Sequence, residues 1–187
     1  MKTNIIAAFC FIVATAGVAQ TAEDKAKMPE MPKPQKEHEW LKQLEGQWDS
    51  EAEMIMEPGK PPMKSKGSET VKSIGGFWTV AENKGDMMGM PFTGVMTLGY
   101  SPEKKKYVGT WVDSAQSAMW VYEGTLDASG KVLTLSSEGP CPMQGGKIVK
   151  VEETLEIKSP EHKVFSSKME IDGKLTPMMT VNYTKKK

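Results

Sequence analysis

Beyond Gly46 the chain alternates apolar and polar positions with a period of two. In "QWDSEAEMIME", Trp48, Ala52, Met54 and Met56 fall on one face with Ser50, while Asp49, Glu51, Glu53 and Glu57 fall on the other. Successive side chains of a strand point to opposite sides, so this run predicts a strand with one dry face and one wet face. Similar runs follow, each closed by turn residues: "KGSETVKSI" before Gly75-Gly76, "FWTVAENK" before Gly85-Asp86, and "FTGVMTLGY" before Ser101-Pro102. Then come "KYVGTWVD", "AMWVYEGTL", "KVLTLSSE", "KIVKVEETLEIK", "KVFSSKMEI" and "TPMMTVNYT". About ten strands at roughly ten- to twelve-residue spacing, joined by tight turns, predict an antiparallel meander.

A strongly twisted sheet of about ten strands must curl, split or close. Closure removes both exposed edges, and up-and-down closure of that many strands encloses an interior cavity. A two-sheet sandwich is the alternative. Ahead of the strands, "EHEWLKQLEGQW" sets Trp40, Leu41 and Leu44 on one helical stripe that Gly46 terminates. The expected fold class is therefore all-β, an antiparallel up-and-down barrel of about ten strands preceded by a short N-terminal helix.

The start of the chain has a different character. Lys2, an apolar run from Ile5 to Val18, and small residues at Gly17 and Ala19 read as a secretory signal cleaved after Ala19. The apolar run falls short of the roughly twenty residues that cross a bilayer, so export to the periplasm or the medium is expected, with no stable membrane span. "TAEDKAKMPEMPKPQK" is rich in Lys, Glu and Pro and has no aromatic residue, which describes a solvated tether. The expected organisation is a signal peptide at 1–19, a disordered linker at 20–36 and a barrel domain at 37–187.

Two further stretches sharpen the fold. "EGQW", a Gly-x-Trp after a short helix, looks like the opening of lipocalin-like barrels. "MEPGKPPMKSKGSETVKSIGGFWTV", "PFTGVMTLGYSPEKKKYVGTWVDS", "WVYEGTLDASGKVLTLSSEGP" and "VNYTKKK" together resemble the bacterial domain of unknown function 1579 over residues 37–187. That resemblance implies a lipocalin-like barrel and supplies no activity. The chain departs from the family pattern at its end, where Lys185 to Lys187 stand in place of an Arg-Lys-like pair.

Charge narrows the partners. Lys+Arg and Asp+Glu balance at 24 each, and every basic residue is Lys. Without the guanidinium fork or a basic patch, nucleic acid is not an expected partner. Once the signal and its Cys10 are removed, Cys141 in "EGPCPMQGG" is the only thiol, so no intramolecular disulfide can form. It reads as a small residue in a turn between two prolines rather than a redox centre. His38 and His162 sit in no nucleophile motif and read as surface residues. Zinc-ligand spacing is absent, and the Gly-Gly pairs at Gly75 and Gly145 precede strands instead of helices, so neither cradles phosphate. No catalytic residue, metal or cofactor is expected.

Binding is the reading that remains. Trp48, Trp78, Trp111 and Trp120 lie one per strand and can wall a cavity, with Trp48 next to the helix suited to plugging the end. Glu153 shares a face with Val149, Val151, Leu155 and Ile157, so it either points a carboxylate into the barrel or is turned out by a bulge or at the rim. Asp113 shares a face with Tyr107 and Trp111 and reads as a turn or rim residue. Of fifteen methionines, Met54 and Met56 are expected to line the same interior, and Met87, Met88 and Met90 to form a cluster at the mouth. Flexible thioethers suit a pliable apolar pocket, and in an exported protein they also suit Cu(I) or serve as expendable oxidant targets. The expectation is a monomer that holds a small hydrophobic or amphipathic ligand.

Overall fold

Alternation is what β1 (Gly46–Met54) shows, burying Trp48 and exposing Asp49, Glu51 and Glu53. The computed structural model describes residues 31–57 and 59–187. The expected export signal, and the linker as far as residue 30, lie outside the described residues. Residues 34–187 form one compact unit.

Nine further strands follow: β2 (Met63–Ile74), β3 (Trp78–Met87), β4 (Met90–Ser101), β5 (Lys106–Asp113) and β6 (Trp120–Leu126), then β7 (Val132–Cys141), β8 (Lys147–Ser159), β9 (His162–Ile171) and β10 (Lys174–Lys185). Each pairs with the next, and β1 pairs antiparallel with β10 from Trp48 opposite Lys185 to Met54 opposite Met179. The sheet is thereby a closed ten-stranded barrel with no free edge.

One end is stoppered. Helix α1 (Lys36–Leu41) and a 3-10 turn (Lys42–Leu44) bury Trp40, Leu41 and Leu44. Trp40 Nε1 donates to the Gly130 carbonyl at 2.9 Å, and the Tyr107 hydroxyl donates to the Glu37 carbonyl at 2.9 Å. These bonds fix α1 over the end that carries the β2–β3, β4–β5 and β6–β7 turns. His38, expected at the surface, is instead buried there. Its ring meets Phe77 and Tyr100 edge-on at 5.3 and 5.7 Å, while Nδ1 accepts the Gln35 backbone N–H at 2.9 Å. An imidazole satisfied on both counts behaves as an aromatic core residue.

The up-and-down order sends the β1–β2, β3–β4, β5–β6, β7–β8 and β9–β10 connections to the opposite end. The β3–β4 hairpin turns on Met88 and Gly89, at φ 55° and 81°, and Asp86 Oδ1 accepts the Gly89 N–H at 2.7 Å. Two consecutive positive φ angles match the twist of the flanking strands. Gly85 lies within β3 and takes no part in the bend.

Candidate functional site

The inward faces of β6, β7 and β8 are sealed. Tyr122, Leu133, Leu135, Val149, Val151 and Leu155 are buried, as is Cys141, which ends β7 as an interior thiol. Some inward residues on the other strands keep part of their surface accessible: Ser50, Ala52 and Met54 on β1, Met96 on β4, Trp111 on β5, Phe165 and Met169 on β9, and Met179 on β10. Partial exposure on the inner face is thus concentrated away from β7 and β8.

The floor of this lumen is a buried ion pair under aromatic cover. Lys163 on β9 pairs with Glu69 on β2, both nearly inaccessible. The Lys163 ammonium lies 4.5 Å from the Trp48 ring centroid and 4.7 Å from that of Tyr183, within cation–π range. Burial pulls the lysine below its ordinary pKa, and the Glu69 carboxylate pulls it back up. Trp48 itself donates Nε1 to the Leu44 carbonyl at 2.9 Å. It plugs the closed end and presents no free surface.

Above the floor stands Glu153, inward on β8 and 8% exposed. Ser167, directly opposite on β9, donates its hydroxyl at 3.3 Å, and the nearby Tyr122 phenol stabilises the same carboxylate. Burial raises the Glu153 pKa to about 7, with the two hydroxyl groups opposing that rise. The same burial, with the negative charge of Glu153 beside it, pushes the Tyr122 phenol far above its ordinary range. One strand further, Ser137 Oγ is buried without a hydrogen-bond partner.

Aromatic rings line the way in. Trp111 lies flat over Gly94, where an added Cβ would meet its ring at 2.3 Å, and Trp120 lies over Gly139 in the same manner at 2.2 Å. Only glycine leaves room for an indole at these positions. Phe92 stacks on Trp111 at 6.3 Å and 25°. Asp113 Oδ2 accepts Trp111 Nε1 at 2.7 Å and Gln116 Nε2 at 2.9 Å, which locks that indole at the rim.

Of the residues singled out from sequence, the structure brings Trp111, Trp120, Glu153 and Met54 to the inner face, with Trp48 beneath them. Trp78 is a correction. Thr79 and Ala81 take the inward positions of β3, so Trp78 is on the outer wall, 41% exposed, with its ring over Gly99. Met56 is another, because β1 ends at Met54 and the chain leaves the wall before the next inward position. Met56 is 56% exposed. Met88 and Met90 sit at the hairpin on the rim, each 60% exposed, and do not enter the lumen.

Sequence reasoning missed Tyr122, Ser137, Ser167, and the Lys163–Glu69 pair. Tyr122 alternates with Trp120 in "MWVYEG", a signal that was present. It also missed a row of thioethers. Met54 is opposite Met63 on β2 and opposite Met179 on β10, all three facing inward at the open end. Two surface depressions lie outside the lumen, one beside Trp78 and Val121 on the outer wall and one near Lys147 and Asp172 at the rim. Among the described residues no group of three or more His, Cys, Asp or Glu could hold a metal ion, and no helix is long and apolar enough to cross a membrane.

A search of curated proteins finds no match to the chain. Among solved structures, Rv2717c from M. tuberculosis is similar in fold, at TM-score 0.60 and 13% identity over 82% of this chain and 99% of that one. Two redesigned β-barrels also align: b11L5F_LGL, at TM-score 0.44 and 13% identity over 79% and 95% of the two chains, and mFAP1 bound to DFHBI, at 0.42 and 13% over 78% and 97%. The family described as Protein of unknown function (DUF1579) matches residues 33–185, and the chain belongs to it.

Proposed function

We propose that this protein is an exported carrier that binds a small amphipathic molecule in the lumen of its barrel, as a monomer and without a chemical step. The observation that carries the reading is Glu153. A carboxyl group buried in an apolar wall, hydrogen-bonded by Ser167 and stabilised by the Tyr122 phenol, resembles the polar anchor of a ligand pocket. Around it, Trp111, Phe165, Met96 and Met169 offer partly accessible apolar surface for the rest of the molecule. No imidazole is available to serve Ser137 or Ser167 as a base, because His38 is packed in the closed end and His162 is exposed. The apolar run of residues 5–18 supports export.

Native mass spectrometry of protein purified from its own source tests the proposal. A discrete small-molecule adduct on the folded barrel is expected; a bare polypeptide mass, together with failure to take up any amphiphile in vitro, contradicts it.

A second reading is favoured by the row Met63, Met54 and Met179. Thioethers on three adjacent strands, directly opposite one another on one face, form a soft donor set suited to Cu(I). Met54 and Met63 remain partly accessible, as an entry site requires. Titration with Cu(I) against a variant carrying Met54→Leu, Met63→Leu and Met179→Leu decides this reading, which fails if the two proteins bind equally.

A further inference from the structure

We propose that the polar group received at Glu153 is an amine, so that the ligand is a cationic amphiphile and not a fatty acid. The inference rests on the binding reading above and names the class of ligand. Glu153 faces inward with hydroxyl groups as its partners and, among the described residues, no lysine paired to it. Two lysines at the closed end are engaged there: Lys163 is bound to Glu69, and Lys185 lies over the Trp48 ring at 5.1 Å. A second carboxylate, Asp113, stands near the rim and acts on the same Tyr122 phenol as Glu153 does. The chain has no arginine, and among the described residues neither of these two carboxylates is held in an ion pair.

Hydrogen-bond arithmetic points the same way. A primary ammonium has three donors and no acceptor. The site offers the Glu153 carboxylate, the hydroxyl of Ser167 and the Ser137 Oγ that lacks a partner within the fold. Ser137 is on the same inward face, across from Val151, two residues before Glu153 on β8. An amine bound at Glu153 keeps donors for neighbouring hydroxyl oxygens, and its charge compensates the buried carboxylate. A carboxylate headgroup would bring a like charge to Glu153. An alcohol, with one donor, would leave Ser137 or Glu153 short.

The test is a titration of the full chain with decylamine, decanol and decanoate below their aggregation concentrations, followed by tryptophan fluorescence at neutral pH. The chain's formal net charge is zero, so no general attraction favours either ion. The amine is expected to bind at least about tenfold more tightly than the acid. Glu153→Gln is expected to erase that preference, bringing the amine and acid affinities to within about threefold of each other. Should that variant fail to fold by circular dichroism, Ser137→Ala serves instead, with a selective loss of amine affinity expected. Equal or tighter binding of decanoate overturns the amine inference and leaves the binding reading intact. Uptake of none of the three overturns both.

Discussion

The Lys163 ammonium is inserted between the Glu69 carboxylate and the Trp48 ring, 4.5 Å from the ring centroid. Its strand and those of its partners lie far apart in sequence, so this one contact ties β9 to β1 and β2 across the closing seam. Removing one member of a buried pair strands the other charge, which costs roughly 3 to 5 kcal/mol. Lys163→Met is therefore expected to lower unfolding free energy by that order in urea titration. Combining it with Glu69→Leu should recover much of the loss, since an apolar floor needs no pairing. A double variant no better than the single one would contradict this account.

Glu153 gives stability a pH dependence of defined sign. Its folded pKa of about 7 lies above the ordinary 4.5, so between those values the folded state binds more protons than the unfolded state. Stability contributed by the protonated carboxyl is fully present below about pH 4.5 and falls as pH rises through about 7. The loss is on the order of 3 kcal/mol. Glu153→Gln should flatten this segment of the stability profile in urea titrations at several pH values. A profile unchanged by the substitution would show that Glu153 titrates normally.

This carboxyl also marks the limit of what the sequence discloses. Alternation in "KIVKVEETLEIK" is enough to align Glu153 with Val151 and Leu155, yet it cannot distinguish inward burial from a bulge. Ser167 and Tyr122, which settle the matter, lie on other strands. All ten strands were legible because period-two patterning and turn residues are local signals. Trp78 was not placed correctly, because an aromatic residue on an outer wall reads the same as one inside when its neighbouring strand is unknown. Gly99, which accommodates that ring, is on β4. Lys163 and Glu69 were invisible for the same reason, since neither charge announces a partner on a distant strand.

Gly139 is expected to tolerate no side chain. A Cβ there would meet the Trp120 ring at 2.2 Å, on a backbone held against Val149 of β8. Gly139→Ala should destabilise the barrel by roughly 1 to 3 kcal/mol, the usual range for overpacking. The emission of Trp120 should shift as its ring is displaced into the lumen. Thermal unfolding and tryptophan emission check both effects, and an unshifted midpoint would contradict the close approach.

Met88 sits at φ 55° in the β3–β4 turn, a conformation that an unbranched L side chain adopts only at a cost. Asparagine followed by glycine is the favoured pair in such a turn. Met88→Asn is expected to stabilise the protein by about 1 kcal/mol in urea titration. It should leave amphiphile binding in the lumen unchanged, because Met88 is at the rim and exposed. A loss of binding on this substitution would instead make the hairpin tip part of the site.

The most direct measurement follows the indole N–H signals of the five tryptophans in nitrogen-15 correlation spectra while decylamine is added. Each tryptophan reports a different region: Trp40 the helix cap, Trp48 the floor, Trp111 and Trp120 the lumen wall, and Trp78 the outer wall. Binding inside the barrel predicts saturable shifts of Trp111 and Trp120, with Trp78 and Trp40 unmoved. Shifts confined to Trp78 would place the ligand on the outer wall and contradict a lumen site.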